Sequence, residues 1–257
     1  MSPALEYTIH GPEQAPWLTL SHPIGANLHI WDEQLARLAR HYRVLAFNTR
    51  GHGASPGDAS RTWTMDELAA DVQQLWQALG IQRSHFLGLS LGGCIGVSLA
   101  LRAPESVRSL VVVCSRLEMD APATDMWQQR ATLVEQQGML PVIQPTLERW
   151  FTPEFLAQAP AAVEQVRQML QACPPRGFAD SARALAGLHL ESRLVGLRVP
   201  TLYIGGRHDK AVALSQVEHY ARLSPGARFV ALDGPHILHL ENPDGFNTAV
   251  LEFLARH

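Results

Sequence analysis

Lysine is almost missing from this chain: Lys210 is the single example, and arginine carries nearly all of the positive charge. Cysteine is scarce as well. Cys94, Cys114 and Cys173 are odd in number and lack metal-like spacing, so no disulfide framework, zinc site or other metal centre is expected. They read as free thiols in a reducing compartment. Neither sign of charge dominates. The net charge of −3 gives no electrostatic case for binding nucleic acid or an acidic membrane surface. No apolar run is long enough to span a bilayer. The stretch MSPALEYTIHGPEQAPW lacks a basic region followed by an apolar core, so no signal peptide is expected. The expectation from these absences is a cytoplasmic protein, monomer or small homo-oligomer, whose partner is a small molecule and which uses no cofactor.

What is present is enough apolar sequence for a large core: 46% of the 257 residues. Short apolar runs alternate with helical patterns, the signature of an α/β protein with a mostly parallel sheet flanked by helices. WLTLS and RVLAF read as strands around a helix in IWDEQLARLARHY. TMDELAADVQQLWQALG (64–80) reads as a helix opened by a Thr64–Glu67 capping box and closed by Gly80. HFLGL then leads through a glycine cluster into a helix that stops at Pro104, and SLVVVCS has the β-branched content of a buried strand. From 116 to 191 the pattern looks wholly helical, and the segment holds Met119, Met126, Met139 and Met169. Alternation then resumes through TLYIGG, LSQVEHYARLS, RFVALD and FNTAVLEFLAR. The chain therefore divides into a core, 1–115 with 192–257, and a helical cap insertion, 116–191, placed after the fifth or sixth strand.

Gly88-Leu89-Ser90-Leu91-Gly92 fits G-x-S-x-G between a strand and a helix, the setting in which that motif forms a nucleophile elbow. The turn is sharp, so the residues two before and two after the serine must lack bulk. The backbone N–H of Leu91 then faces any oxyanion formed at Ser90. A serine hydroxyl is a weak nucleophile and needs a base oriented by a carboxylate. The expected order is Ser, acid, His. Asp209 follows TLYIGG and His236 follows RFVALD, both in loops at strand carboxyl ends. His239, His208, His52 and His22 compete for the role of base, and Asp233 and Glu118 are fallback acids. The second oxyanion donor belongs to the loop Ser21-His22-Pro23-Ile24-Gly25. Pro23 has no N–H, which leaves Ile24.

These motifs make the chain resemble an α/β-hydrolase over nearly its whole length. HPIG stands where that family usually has His-Gly-x-Gly, with Pro23 replacing a glycine. RGHGAS (50–55) resembles its Arg-Gly-His-Gly-x-Ser loop, with Asn48 where aspartate is common. PHILHLENP resembles its His-x-x-x-x-Glu-x-Pro ending, which assigns His236, Glu241 and Pro243 and disfavours His239. Within the family, LSHPIGANLHIWDEQL, HYRVLAFNTRGHGAS, HFLGLSLGG and RWFTPEFL are most similar to 3-oxoadipate enol-lactonases of aromatic-compound degradation. The resemblance implies a serine hydrolase that opens a small carboxylate-bearing lactone through Ser90, His236 and Asp209. Another small-ester or lactone hydrolase, a carbon–carbon bond hydrolase, a perhydrolase and a non-turnover ligand receptor on the same fold are the alternatives. A substrate carboxylate needs a cationic anchor, for which Arg116, Arg149 and Arg207 are candidates. Trp150 is a candidate apolar wall of the substrate pocket.

Overall fold

The computed structural model describes residues 5–58, 60–158 and 161–257. Its strands are β1 (Tyr7–His10), β2 (Trp17–Ser21), β3 (Arg43–Phe47), β4 (Ser84–Leu89), β5 (Val107–Val113), β6 (Thr201–Gly206) and β7 (Arg228–Leu232). They form one sheet in the order β1-β3-β2-β4-β5-β6-β7. Only the pairing of β1 with β3 is antiparallel. β1 escapes the sequence reading because it is a short edge strand whose residues stay partly exposed.

The core helices are α1 (Asp32–Leu38), α2 (Met65–Ala78), α3 (Leu91–Arg102), α9 (Leu214–Leu223), α10 (Leu238–Glu241) and α11 (Pro243–Leu254). Alternation along the strands sorts their side chains onto two faces. Phe86, Leu110, Val112 and Tyr203 pack with Val72, Trp76, Ile95 and Val217 of α2, α3 and α9. Leu87, Val111, Val113 and Ile204 pack with Leu38, Phe246 and Val250 of α1 and α11. The two-sided burial is why these strands read as continuous apolar runs. The Thr64–Glu67 capping box is formed at the start of α2.

Five helices occupy the chain between β5 and β6: α4 (Ala121–Gln137), α5 (Leu140–Trp150), α6 (Pro153–Ala157), α7 (Ala161–Ala172) and α8 (Pro175–Ala186). The insertion thus follows the fifth strand. It is not wholly helical, because Glu118 and His189 form an antiparallel bridge across its base. One contact explains how it reaches the core. A Cβ on Gly177 would lie 1.8 Å from the Gly51 carbonyl oxygen, so only glycine lets α8 approach the 50–55 loop this closely.

Candidate active site

Ser90 sits at the joint between β4 and α3 with φ 55° and ψ −113°, a left-handed conformation that a non-glycine residue adopts only under constraint. The constraint is visible. Its N–H donates to Val113 O at 2.9 Å, while its carbonyl accepts from Gly93 and Cys94 at 3.0 and 3.1 Å. A Cβ on Gly88 would stand 2.2 Å from Gly92 O, and one on Gly92 would stand 2.2 Å from Ser21 O. Gly93 packs the helix against Ser115, whose Oγ would be 2.0 Å from an added Cβ. Cys94 is the small core residue its position suggests: it is buried, and burial pushes its thiol up to about 12.

His236 and Asp209 meet across the ends of β6 and β7. Here too a glycine makes room, since a Cβ on Gly206 would lie 2.5 Å from both Gly234 O and Pro235 O. His236 Nδ1 and Asp209 Oδ2 are 2.9 Å apart, and both side chains are buried. Asp209 Oδ1 accepts from the N–H groups of Ala211 and Val212 at 2.7 and 3.0 Å. Burial pushes the Asp209 carboxyl up. The neighbouring His236 and the two N–H donors outweigh burial and hold it below the usual carboxylate range. Asp209 is therefore ionised at neutral pH and accepts from His236 Nδ1–H, which leaves Nε2 as the basic nitrogen.

Ser90 and His236 line one cavity of about 280 Å³, together with Ile24, Trp150 and side chains of α4, α5 and α8. Ser90 is only partly buried, and its Oγ has no hydrogen-bond partner among the described residues. The N–H groups of Ile24 and Leu91 also donate to no protein acceptor among the described residues. The Trp150 ring lies 5.9 Å from the His236 ring. Glu241 accepts from Thr152 N–H and Oγ1–H, each at 2.8 Å, tying the start of α6 to α10, the helix that follows the His236 loop.

The competing residues lie elsewhere. Asp233 pairs with His208 at 2.8 Å and Glu118 with His189 at 2.6 Å, both on the surface. His239 is buried against Trp31 with Nε2 on Ile30 O. Arg207 is exposed and does not line the cavity. His22 and His52 are buried with their rings 5.1 Å apart. His22 Nε2 accepts from Thr49 N–H at 2.9 Å and Nδ1–H donates to Pro23 O at 2.8 Å; His52 Nε2 accepts from Gly25 N–H at 3.0 Å. The two rings brace the Pro23–Gly25 loop. Their sequence signal, two histidines in facing loops, reads equally well as a candidate base. Arg130, one polar residue in a helix of mixed pattern, has no sequence signal that sets it apart. It lines the cavity.

Residues 16–243 match the family model described as alpha/beta hydrolase fold. The chain belongs to the α/β-hydrolase family. Among relatives of this α/β-hydrolase, 3-oxoadipate enol-lactonase 2 of Acinetobacter baylyi is 32% identical over 98% of this chain and 94% of its own length. The crystal structure of the enol-lactonase from Burkholderia xenovorans LB400 superposes with a TM-score of 0.93 at 34% identity, covering 98% of this chain and 96% of that one. A hydrolase from Pseudomonas aeruginosa PA01 gives a TM-score of 0.94 at 39% identity, over 97% of this chain and 94% of that one.

Proposed function

We propose that this α/β-hydrolase is a serine hydrolase that opens a small carboxylate-bearing enol-lactone, 3-oxoadipate enol-lactone, to 3-oxoadipate. The observation that carries the reading is His236, held by buried Asp209, lining one cavity with a Ser90 hydroxyl that has no hydrogen-bond partner among the described residues. In this reading His236 Nε2 takes the Ser90 proton as Oγ attacks the lactone carbonyl. Asp209 keeps Nδ1 protonated and stabilises the imidazolium. The Ile24 and Leu91 N–H groups bind the oxyanion. The ring carbon–oxygen bond breaks and the enol oxygen departs with the proton from His236, becoming a ketone by tautomerisation. Water, deprotonated by His236, then releases the carboxylic acid and restores Ser90. Residues 116–191 act as a cap that closes the cavity over the strand ends, with Trp150 as a wall beside His236.

The test is a substrate panel: the enol-lactone, simple p-nitrophenyl esters, a ring-cleavage dienoate, and peroxide with an acyl donor. Preferred hydrolysis of the enol-lactone supports the reading. Turnover of the dienoate alone would make the protein a carbon–carbon bond hydrolase. Tight binding without turnover of any substrate would make it a receptor.

A further inference from the structure

The cavity wall is electrostatically unbalanced. Arg116, Arg130 and Arg149 all line it, whereas Asp120 is the one acidic residue among its lining side chains. Asp120 is already engaged, by Arg116 at 2.8 Å and by Ala123 N–H at 3.0 Å. Among the described residues, Arg130 and Arg149 form no such ion pair. Arg130 Nη2 donates to the neutral Thr146 Oγ1 at 2.6 Å, and its Nε is buried without an acceptor among the described residues. Its guanidinium lies 5.3 Å from the Trp127 ring and 5.9 Å from the Phe178 ring, contacts that favour a cation but supply no counter-charge. The best acceptor of Arg149 is a thioether, Met126 Sδ at 3.7 Å. Burial lowers the Arg130 guanidinium to about 10, with the charge of Arg149 adding to the effect, so both stay cationic at neutral pH.

Two neighbouring cations drawn out of water with no carboxylate in hydrogen-bond contact are costly to the folded protein, and Asp209, whose charge reaches Arg149, is already taken up by His236. A bound anion supplies what the chain does not. We infer that Arg130 and Arg149 form a carboxylate receptor inside the cavity, which selects ligands carrying a carboxylate in addition to the bond to be broken. Arg116, neutralised by Asp120, is not part of it. A guanidinium presents a fork that matches a carboxylate, and burial strengthens each charge-assisted hydrogen bond. The inference rests on the proposed hydrolase reading for the use of the site, but binding can be measured without it.

The experiment compares a five-membered lactone bearing a carboxymethyl arm with its carboxamide analogue. Wild type should prefer the carboxylate by about 100-fold or more. Arg130→Gln and Arg149→Gln should each shrink that ratio of kcat/KM by about 10- to 100-fold. Arg130→Met supplies a readout that a structural role would reverse: losing an unpaired buried cation should leave the Tm unchanged or raise it. A carboxylate preference unchanged in both Gln variants, or a fall in Tm with that preference intact, would overturn the receptor. Calorimetric binding of glutarate to Ser90→Ala, weakened by adding Arg130→Gln, separates the two claims. Glutarate binding by a wild-type protein that turns over none of the lactones or esters sustains the receptor and overturns the hydrolase reading. Lactone turnover with no glutarate binding and no carboxylate preference does the opposite.

Discussion

His52 is the most informative residue to perturb outside the Ser90–His236–Asp209 group. It is wholly buried, and its Nε2 is the acceptor for Gly25 N–H at 3.0 Å. Gly25 follows Ile24, whose own N–H is the candidate oxyanion donor. Gly25 has φ +80°, so the loop is a tight turn held in one shape. His52→Ala removes the acceptor and leaves a buried N–H unpaired, which costs about 1–3 kcal/mol, and the emptied ring volume adds a similar amount. The loop should loosen rather than disappear. Outright loss of an oxyanion donor costs about 100- to 1,000-fold in kcat, and misplacement by about 1 Å costs on the order of 100-fold. The expected loss for His52→Ala is therefore about 10- to 100-fold in kcat with a smaller change in KM. His52→Gln restores an acceptor oxygen and should recover at least about tenfold of that loss. The assay is steady-state lactone hydrolysis at a temperature where circular dichroism shows each variant folded. A His52→Ala variant with lowered Tm but unchanged kcat would refute the bracing role. So would a Gln variant no better than Ala.

Two further outcomes follow from the buried ionisable groups. Asp209→Asn keeps the shape of the group but not the acceptor that fixes His236 Nδ1–H, and kcat should fall by about 10,000-fold; a loss under about tenfold would place the orienting carboxylate elsewhere. Burial holds His22 at about 3, with His52 contributing, and holds His52 and His239 at about 4. Because these values lie below the ordinary 6.5, the unfolded chain takes up protons first, so stability is full above about pH 6.5 and falls as the pH drops toward 4. The urea midpoint should decline steeply across that window, and His52→Gln should flatten the decline.

Legibility in the sequence followed the strength of the local signal. β2 to β6 are legible because burial of their side chains demands short apolar runs, β7 because RFVALD is apolar although only half-buried, and Ser90 because the elbow demands glycines at 88 and 92. Asp209 and His236 were legible as loop residues after two late strands. β1 was not, since YTIH is four residues long with Ile9 as its one aliphatic residue and carries no such pattern. Arg130 shows a deeper limit. Its meaning lies in what is missing around it, and a sequence does not record which of several arginines ends up without a counter-ion. Glu241 stood in a recognisable motif, yet its hydrogen bonds to Thr152 depend on how the insertion docks. Asn48, in place of the usual aspartate, binds Leu28 N–H at 2.6 Å and also the Glu6 carboxylate. Asn48 thus ties two loops together, and its donation to Glu6 is one that an ionised aspartate could not make.

The central claim is that Ser90 Oγ is the nucleophile of an acyl-transfer hydrolase. The direct measurement is kcat/KM of Ser90→Ala against wild type on the carboxymethyl enol-lactone, with the variant's fold checked by circular dichroism. Loss of the nucleophile should reduce kcat/KM by more than about 10,000-fold. A folded Ser90→Ala protein within about tenfold of wild type would contradict the account.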